Sequence, residues 1–214
     1  MFLAASFKIL ADPQAQFRRQ FIALVKKRIQ PGSGSGLEFL TQRTWVHPVT
    51  DLNTLFQQAP FVVVGGIATR LYMPERLTLD LDILIHPRDA VLVYQDLERH
   101  GSQRLGEPEI SRSRWRLADG TDLDVLESSE AWVEAALSSP EYAPDGLLVI
   151  ALPYLVLMKL QASRTQDLAD VSRMLGNRSP LELEPVRRTI ATYLPTACED
   201  LESLISLGDL EYNA

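Results

Sequence analysis

Between Phe61 and Ile85 the chain sets three signals in close succession that few folds can satisfy together. Phe61-Val-Val-Val64 is a short β-branched run without a polar residue, which marks a buried strand. Gly65-Gly66 follows, and Ile67–Tyr72 can start a helix. Leu77–Ile85 then alternates: Leu79, Leu81, Ile83 and Ile85 face one way, and Thr78, Asp80 and Asp82 the other. Only Leu84 breaks the polar face, near the strand's end. A buried strand, a glycine turn into a helix and a half-polar strand require a sheet with helices beside it.

The rest of the chain extends that reading. Asp89–His100 has the spacing of an amphipathic helix. Ser113–Leu117 and Thr121–Leu126 are separated by Ala118-Asp119-Gly120, and an Asp-Gly pair between two strand-like runs predicts a hairpin. Leu147–Ala151 reads as another short strand. Helices are expected over Pro153–Ser163 and Thr165–Leu175, then a C-terminal helical region from Pro185 to Leu207. Three or four strands interspersed with helices make an α/β (α+β) domain.

At 214 residues, with 46% hydrophobic and 23% charged, the chain is long enough for a full core and needs no disulfide staples. Its one cysteine, Cys198, excludes both an internal bridge and a cysteine-based zinc cluster. The apolar run Leu147–Met158 is too short to span a bilayer and holds Pro153. The apolar N-terminus has no basic start and is interrupted by Lys8, so a cytoplasmic protein without membrane contact is expected.

Charge is unevenly spread. The formal net charge is −7, yet residues 1–36 hold six cations against Asp12 alone, a net of +5 that leaves −12 for the remainder. Asp12 can cap a helix over Pro13–Gln30, with Phe17, Phe21, Leu24 and Val25 on one side and the basic residues largely on the other. Pro31-Gly-Ser-Gly-Ser-Gly36 ends it as a flexible joint, natural or left by a fusion. Three regions follow: a basic helical arm and linker (1–36), an α/β core (37–150) and a C-terminal helical region (151–214). Within the core, Leu37–Gln58 reads as irregular or briefly helical, with Asp51–Phe56 the most helical part.

The candidate chemistry lies where the first two strands meet the glycines. Without Cβ atoms, Gly65 and Gly66 let a ligand approach the backbone, and amides at a helix start favour phosphate oxygens. Asp80 and Asp82 share a strand face with Cβ atoms roughly 7 Å apart. Their repulsion is relieved either by solvent on a half-exposed strand or by a divalent ion such as Mg²⁺, which takes hard oxygen ligands. The hairpin strand offers a third acid. Asp124, between Leu123 and Val125, is preferred over Asp122, which sits beside the turn and serves as the reserve.

The order Gly65-Gly66, Arg76-x-Thr78-x-Asp80-x-Asp82 and then one acid in a later strand resembles the nucleotidyltransferase superfamily that includes DNA polymerase β. Within it, the chain is most similar to bacterial toxins of the AbiEii and MenT type and their uncharacterised relatives. Leu155-Val-Leu-Met-Lys159-Leu-Gln-Ala162-x-Arg164-x-x-Asp167-x-x-Asp170 is similar to the helices that follow the sheet in that group. The likeness covers roughly residues 60–175 and implies a small mixed sheet flanked by helices.

It also implies roles. Gly65 and Gly66 would embrace a nucleoside triphosphate. Asp80 and Asp82 would bridge two Mg²⁺ (or Mn²⁺) ions, and Asp124 would complete the site. The reaction would be attack of an RNA (tRNA included) or protein hydroxyl on the α-phosphorus, with pyrophosphate leaving. Lys159 either reaches the triphosphate or lays its stem along the core with its head in water. Asp167 would orient Lys159 or a base, while Arg164 and Asp170 pair on the surface. Arg76 contacts phosphate or pairs with Glu75, and Thr78 supports the carboxylates. A toxin-like protein implies a cognate protein partner. The competing readings are a non-catalytic nucleotide-binding or partner-neutralising module, and a small-molecule (antibiotic) nucleotidyltransferase using the same acids.

Other searches are empty. His47, His86 and His100 have no metal-ligand spacing, and neither a nucleophile elbow nor a Walker loop is present. Trp45, Trp115 and Trp132 read as core.

Overall fold

The computed structural model describes residues 12–32, 51–73 and 81–212. The expectations for the joint beyond Gly32, for residues 37–50, and for Arg76, Thr78 and Asp80 lie outside them. A seven-stranded mixed sheet forms the centre: β1 (Val62–Val64), β2 (Leu81–Ile85), β3 (Gln103–Glu109), β4 (Arg112–Arg116), β5 (Asp122–Glu127), β6 (Glu141–Tyr142) and β7 (Leu148–Val149), in the order β3-β4-β5-β2-β1-β7-β6. The β2–β5 and β1–β7 pairs are parallel; the other neighbours are antiparallel.

Local chemistry explains the strands. Val62, Val63 and Val64 are wholly buried because β1 lies inside the sheet with both faces covered, as an unbroken β-branched run demands. In β4, Ser113 and Trp115 point inward and Arg112, Arg114 and Arg116 outward, the period-2 pattern of a half-covered strand. The expected β4–β5 hairpin is present. Gly120 takes φ +90°, and the Leu117 amide donates to the Thr121 carbonyl at 2.8 Å.

The sheet holds more strands than the three or four expected. β3 escaped because it does not look like a strand: it carries Gly106 at φ +71° and Pro108, is strongly polar and loses register against β4 between Leu105 and Glu109. Those are the devices that blunt an edge strand. β6, two exposed residues at the other edge, gave no periodicity to read.

Nine α-helices are found among the described residues, α1 (Pro13–Lys26), α2 (Leu52–Leu55), α3 (Gly65–Tyr72), α4 (Ala90–Arg99), α5 (Val133–Ser138), α6 (Leu152–Ala162), α7 (Thr165–Leu175), α8 (Pro180–Tyr193) and α9 (Cys198–Tyr212), and none of them is long and apolar enough to cross a membrane.

 Two 3₁₀ turns, Pro87–Asp89 and Pro195–Ala197, complete the helical structure. The expected C-terminal region divides into α8 and α9 because Leu194-Pro195 cannot continue a helix. α5, six residues long, lies beyond the expected helices. α8 opens on a capping box, Ser179 with Glu182, and α2 on Asp51, which accepts from the Asn53 and Thr54 amides.

α1 begins as expected, with Asp12 accepting from the Gln14 amide at 3.0 Å and Pro13 in the first turn. Its buried face differs from the expected one. Ala15, Arg18 and Ile22 are buried, whereas Phe17 and Leu24 are exposed. Arg18 overrides the apolar pattern because it has a partner: its Nε donates to Asp200 Oδ2 of α9 at 2.8 Å, and Nη1 donates to Ser163 Oγ at 3.1 Å.

Candidate functional site

Parallel pairing of β2 with β5 sets Asp82 directly beside Asp124, in register, with Leu81 beside Leu123 and Ile83 beside Val125. Leu81 and Ile83 of β2 and Leu123 and Val125 of β5 are buried on one face, so period 2 turns Asp82 and Asp124 to the opposite face. There they line a cleft of about 900 Å³ together with Gly65, Gly66, Arg112 and Lys159. Two carboxylates 42 positions apart in the chain thus meet on one wall.

Gly65 is fixed by this wall. It takes φ +64°, a region that disfavours side chains, and a Cβ placed on it would lie 2.0 Å from Asp82 Oδ2. The glycine is what lets the start of α3 pass so near a carboxylate. No side chain caps α3 among the described residues, and Gly65 and Gly66 both face the cleft.

The opposite wall comes from α6, α7 and their turn at Ser163, a left-handed residue (φ +52°). Lys159 is only 6% exposed and donates from Nζ to Asp170 Oδ2 at 2.7 Å and to Asp167 Oδ1 at 3.3 Å. Its head is therefore enclosed, which corrects the expectation of a solvated alternative. Asp170 is corrected too: it is buried against Lys159 and does not pair on the surface with Arg164. Arg164 is exposed and donates to Asp167 Oδ2 at 2.6 Å, which holds its guanidinium above the ordinary arginine range. Asp167 thus contacts both Lys159 and Arg164.

Arg112 was overlooked in the sequence. It pairs with Asp124 Oδ2 at the mouth of the cleft, and that hydrogen bond is the foremost cause of its raised pKa; Asp82 adds to it through space. A signal was available: Arg112-x-Arg114-x-Arg116 alternates opposite Asp122-x-Asp124, and cross-strand charge pairs are a regular feature of hairpins. Asp122, the reserve, is exposed, pairs with Arg116 at 2.7 Å and does not line the cleft.

The donor chemistry of the wall suits a divalent cation. Asp82 and Asp124 offer hard oxygen ligands side by side, and the missing Cβ of Gly65 lets the Asp82 carboxylate lie against the start of α3. Among the described residues no group of three histidine, cysteine, aspartate or glutamate side chains is placed to hold a metal ion. Asp80, the remaining expected ligand, lies outside those residues.

No protein-family model matches the chain, and no curated protein does. Solved structures do. The solution structure of the antibiotic-resistance factor ANT(2'')-Ia is 14% identical, with 90% of this chain and 89% of that chain covered and a TM-score of 0.38. The crystal structure of ANT(2'')-Ia with adenylyl-2''-tobramycin is 14% identical, covering 78% and 95%, with a TM-score of 0.40. The Thermotoga maritima CCA-adding enzyme complexed with tRNA is 14% identical, covering 78% of this chain and 49% of that one, with a TM-score of 0.37. These neighbours are nucleotidyltransferases. At such scores function has to be read from the site itself.

Proposed function

We propose that this chain is a metal-dependent nucleotidyltransferase that moves a nucleoside monophosphate from a triphosphate to a hydroxyl of RNA, tRNA included. The observation that carries the reading is the register pairing of Asp82 with Asp124 beside Gly65. Two adjacent carboxylates facing a cleft are costly unless cations serve them. Asp82 and Asp124 would hold Mg²⁺ or Mn²⁺, with Asp80 added from the sequence pattern. The ion would supply positive charge to the transferring phosphoryl group.

The chain's own residues do the rest. Gly65 and Gly66 admit the triphosphate close to the backbone, and Arg112 and Arg164 supply positive charge at the cleft mouth. The acceptor oxygen bonds to the α-phosphorus, the bond to the β-phosphate breaks, and pyrophosphate leaves. The acceptor's proton passes to an oxygen of Asp124. Lys159, gripped by Asp167 and Asp170, fixes the wall that faces the acids.

RNA is favoured as acceptor by α1 and the turn that follows it, where Arg19, Lys26, Lys27 and Arg28 are exposed on an otherwise acidic chain. The toxin-like motif order adds a cognate protein partner to the proposal. The Arg112–Asp124 pair favours a second reading, a nucleotide-binding module without turnover, since one carboxylate already has a counter-ion.

The test is incubation with each α-labelled nucleoside triphosphate, Mg²⁺ or Mn²⁺ and total RNA. Label should move to RNA with wild type and not with Asp82→Asn. Folded protein that transfers label from no triphosphate overturns the enzyme reading. Binding without transfer establishes the module.

A further inference from the structure

Arg112 occupies an unusual place for a surface arginine. Across the hairpin, Arg114 is the residue in register with Asp124, yet it is Arg112, diagonal to it, that pairs with Asp124 Oδ2. Arg112 begins β4 immediately after Ser111, which has φ +62° in the exposed turn at the cleft's rim. Its side chain is 45% exposed, so solvent lies on one side of it and the two acids on the other.

Each cation lining the cleft among the described residues has an internal anion: Arg112 has Asp124, Lys159 has Asp167 and Asp170, and Arg164 has Asp167. Lys159 is buried and held twice. Arg164 donates from two nitrogens to both oxygens of Asp167, whereas Arg112 sits half exposed on a single hydrogen bond to one of the two adjacent acids, so it can change partners at little cost.

We propose that Arg112 is an exchangeable counter-ion: it neutralises Asp124 in the empty site and transfers to the triphosphate when a divalent cation takes Asp124. This rests on the metal-site reading above. The exchange couples two ligands. The cation alone must displace a guanidinium, while the nucleotide rewards its release, so each ligand favours the other by the same factor. The pair also keeps two adjacent carboxylates from repelling one another before substrate arrives.

The experiment is Mn²⁺ titration by calorimetry, without nucleotide and with each of four α,β-non-hydrolysable nucleoside triphosphate analogues. Wild type is compared with Arg112→Gln, Arg114→Gln and Asp82→Asn. Arg112→Gln should tighten Mn²⁺ binding alone by about three- to tenfold, the range of a charge-assisted pair at a half-exposed site. It should weaken the analogue's binding and reduce the coupling between the two ligands. Arg114→Gln removes the same charge close by without removing the pair, and should change Mn²⁺ affinity much less.

Equal effects of the two arginine substitutions would show charge through space alone and overturn the exchange. So would Mn²⁺ affinity indifferent to Arg112→Gln but lost in Asp82→Asn, with the metal site left standing. Mn²⁺ binding that Asp82→Asn leaves intact, or no binding in any variant, overturns the metal-site reading and the exchange with it.

Discussion

Gly65 and Asp82 compete for the same space: a Cβ on residue 65 would sit 2.0 Å from Asp82 Oδ2 and 2.9 Å from its Cγ. The backbone at residue 65 is also left-handed, at φ +64°. Gly65→Ala must therefore both strain the turn and push the carboxylate aside. The expected cost is about 1–3 kcal/mol in urea unfolding, the range for a side chain forced into such a conformation. Mn²⁺ binding should fall as well, because the displaced group is Asp82. A Gly65→Ala protein with wild-type stability and wild-type Mn²⁺ affinity would contradict the contact.

Asp82, Asp124 and Asp122 make a graded series on two strands. Asp82→Asn and Asp124→Asn should each lower nucleotidyl transfer by at least about a hundredfold, since a ligand to a catalytic cation contributes several kcal/mol. Asp122 touches Arg116 outside the cleft, and Asp122→Asn should leave transfer within about twofold, as expected for an exposed pair of little energetic weight. Steady-state rates at saturating triphosphate and Mg²⁺ check the series. Equal loss in all three would place the chemistry elsewhere.

The site was legible where chemistry and periodicity coincide. The β-branched run before Gly65 and the alternation around Asp82 identify two adjacent strands, and an acid between Leu123 and Val125 identifies the third. That Asp124 rather than Asp122 faces the cleft followed from local context, but their register with Asp82 needed the fold. Arg18 could not be read from amphipathicity, because its partner Asp200 lies 182 positions away. Asp170 was misjudged for a related reason: a carboxylate one helical turn beyond Asp167 reads as solvated until Lys159 of another helix is seen between them. β3 hides its strand character behind Gly106 and Pro108.

Lys159, Asp167 and Asp170 form a buried triad of one cation and two anions, so loss of the cation and loss of one anion should differ. Lys159→Met leaves two carboxylates facing each other without their shared cation, and should cost about 3–5 kcal/mol. Asp170→Asn keeps Lys159 paired with Asp167 and should cost less. Lys159→Arg retains the charge and should recover part of the loss. Urea denaturation of the three variants gives the ranking. If Lys159→Met were no more costly than Asp170→Asn, the lysine would not be the hub.

α1 allows docking and charge to be separated. Arg18 is fully buried on Asp200, Ser163 and the Leu160 carbonyl, so removing the whole arm would uncover the α6 end as well as remove cations. Substitution of Lys26, Lys27 and Arg28 by glutamine leaves Arg18 in place and alters exposed positions. The only side-chain hydrogen bond it removes among those described is that of Lys26 Nζ to Ser203 Oγ, at 3.4 Å. If these residues contact RNA phosphates, affinity should fall and the slope of log affinity against log salt should flatten by about 2, since each lost phosphate contact on a single strand removes about 0.7. Thermal stability should be unchanged, whereas Arg18→Met should lower it by about 3–5 kcal/mol by leaving Asp200 buried without its partner. Filter binding of RNA across a salt series reads the slope. A triple variant that binds with wild-type affinity and slope would remove α1 from the RNA-binding surface and leave its role to Arg18 alone.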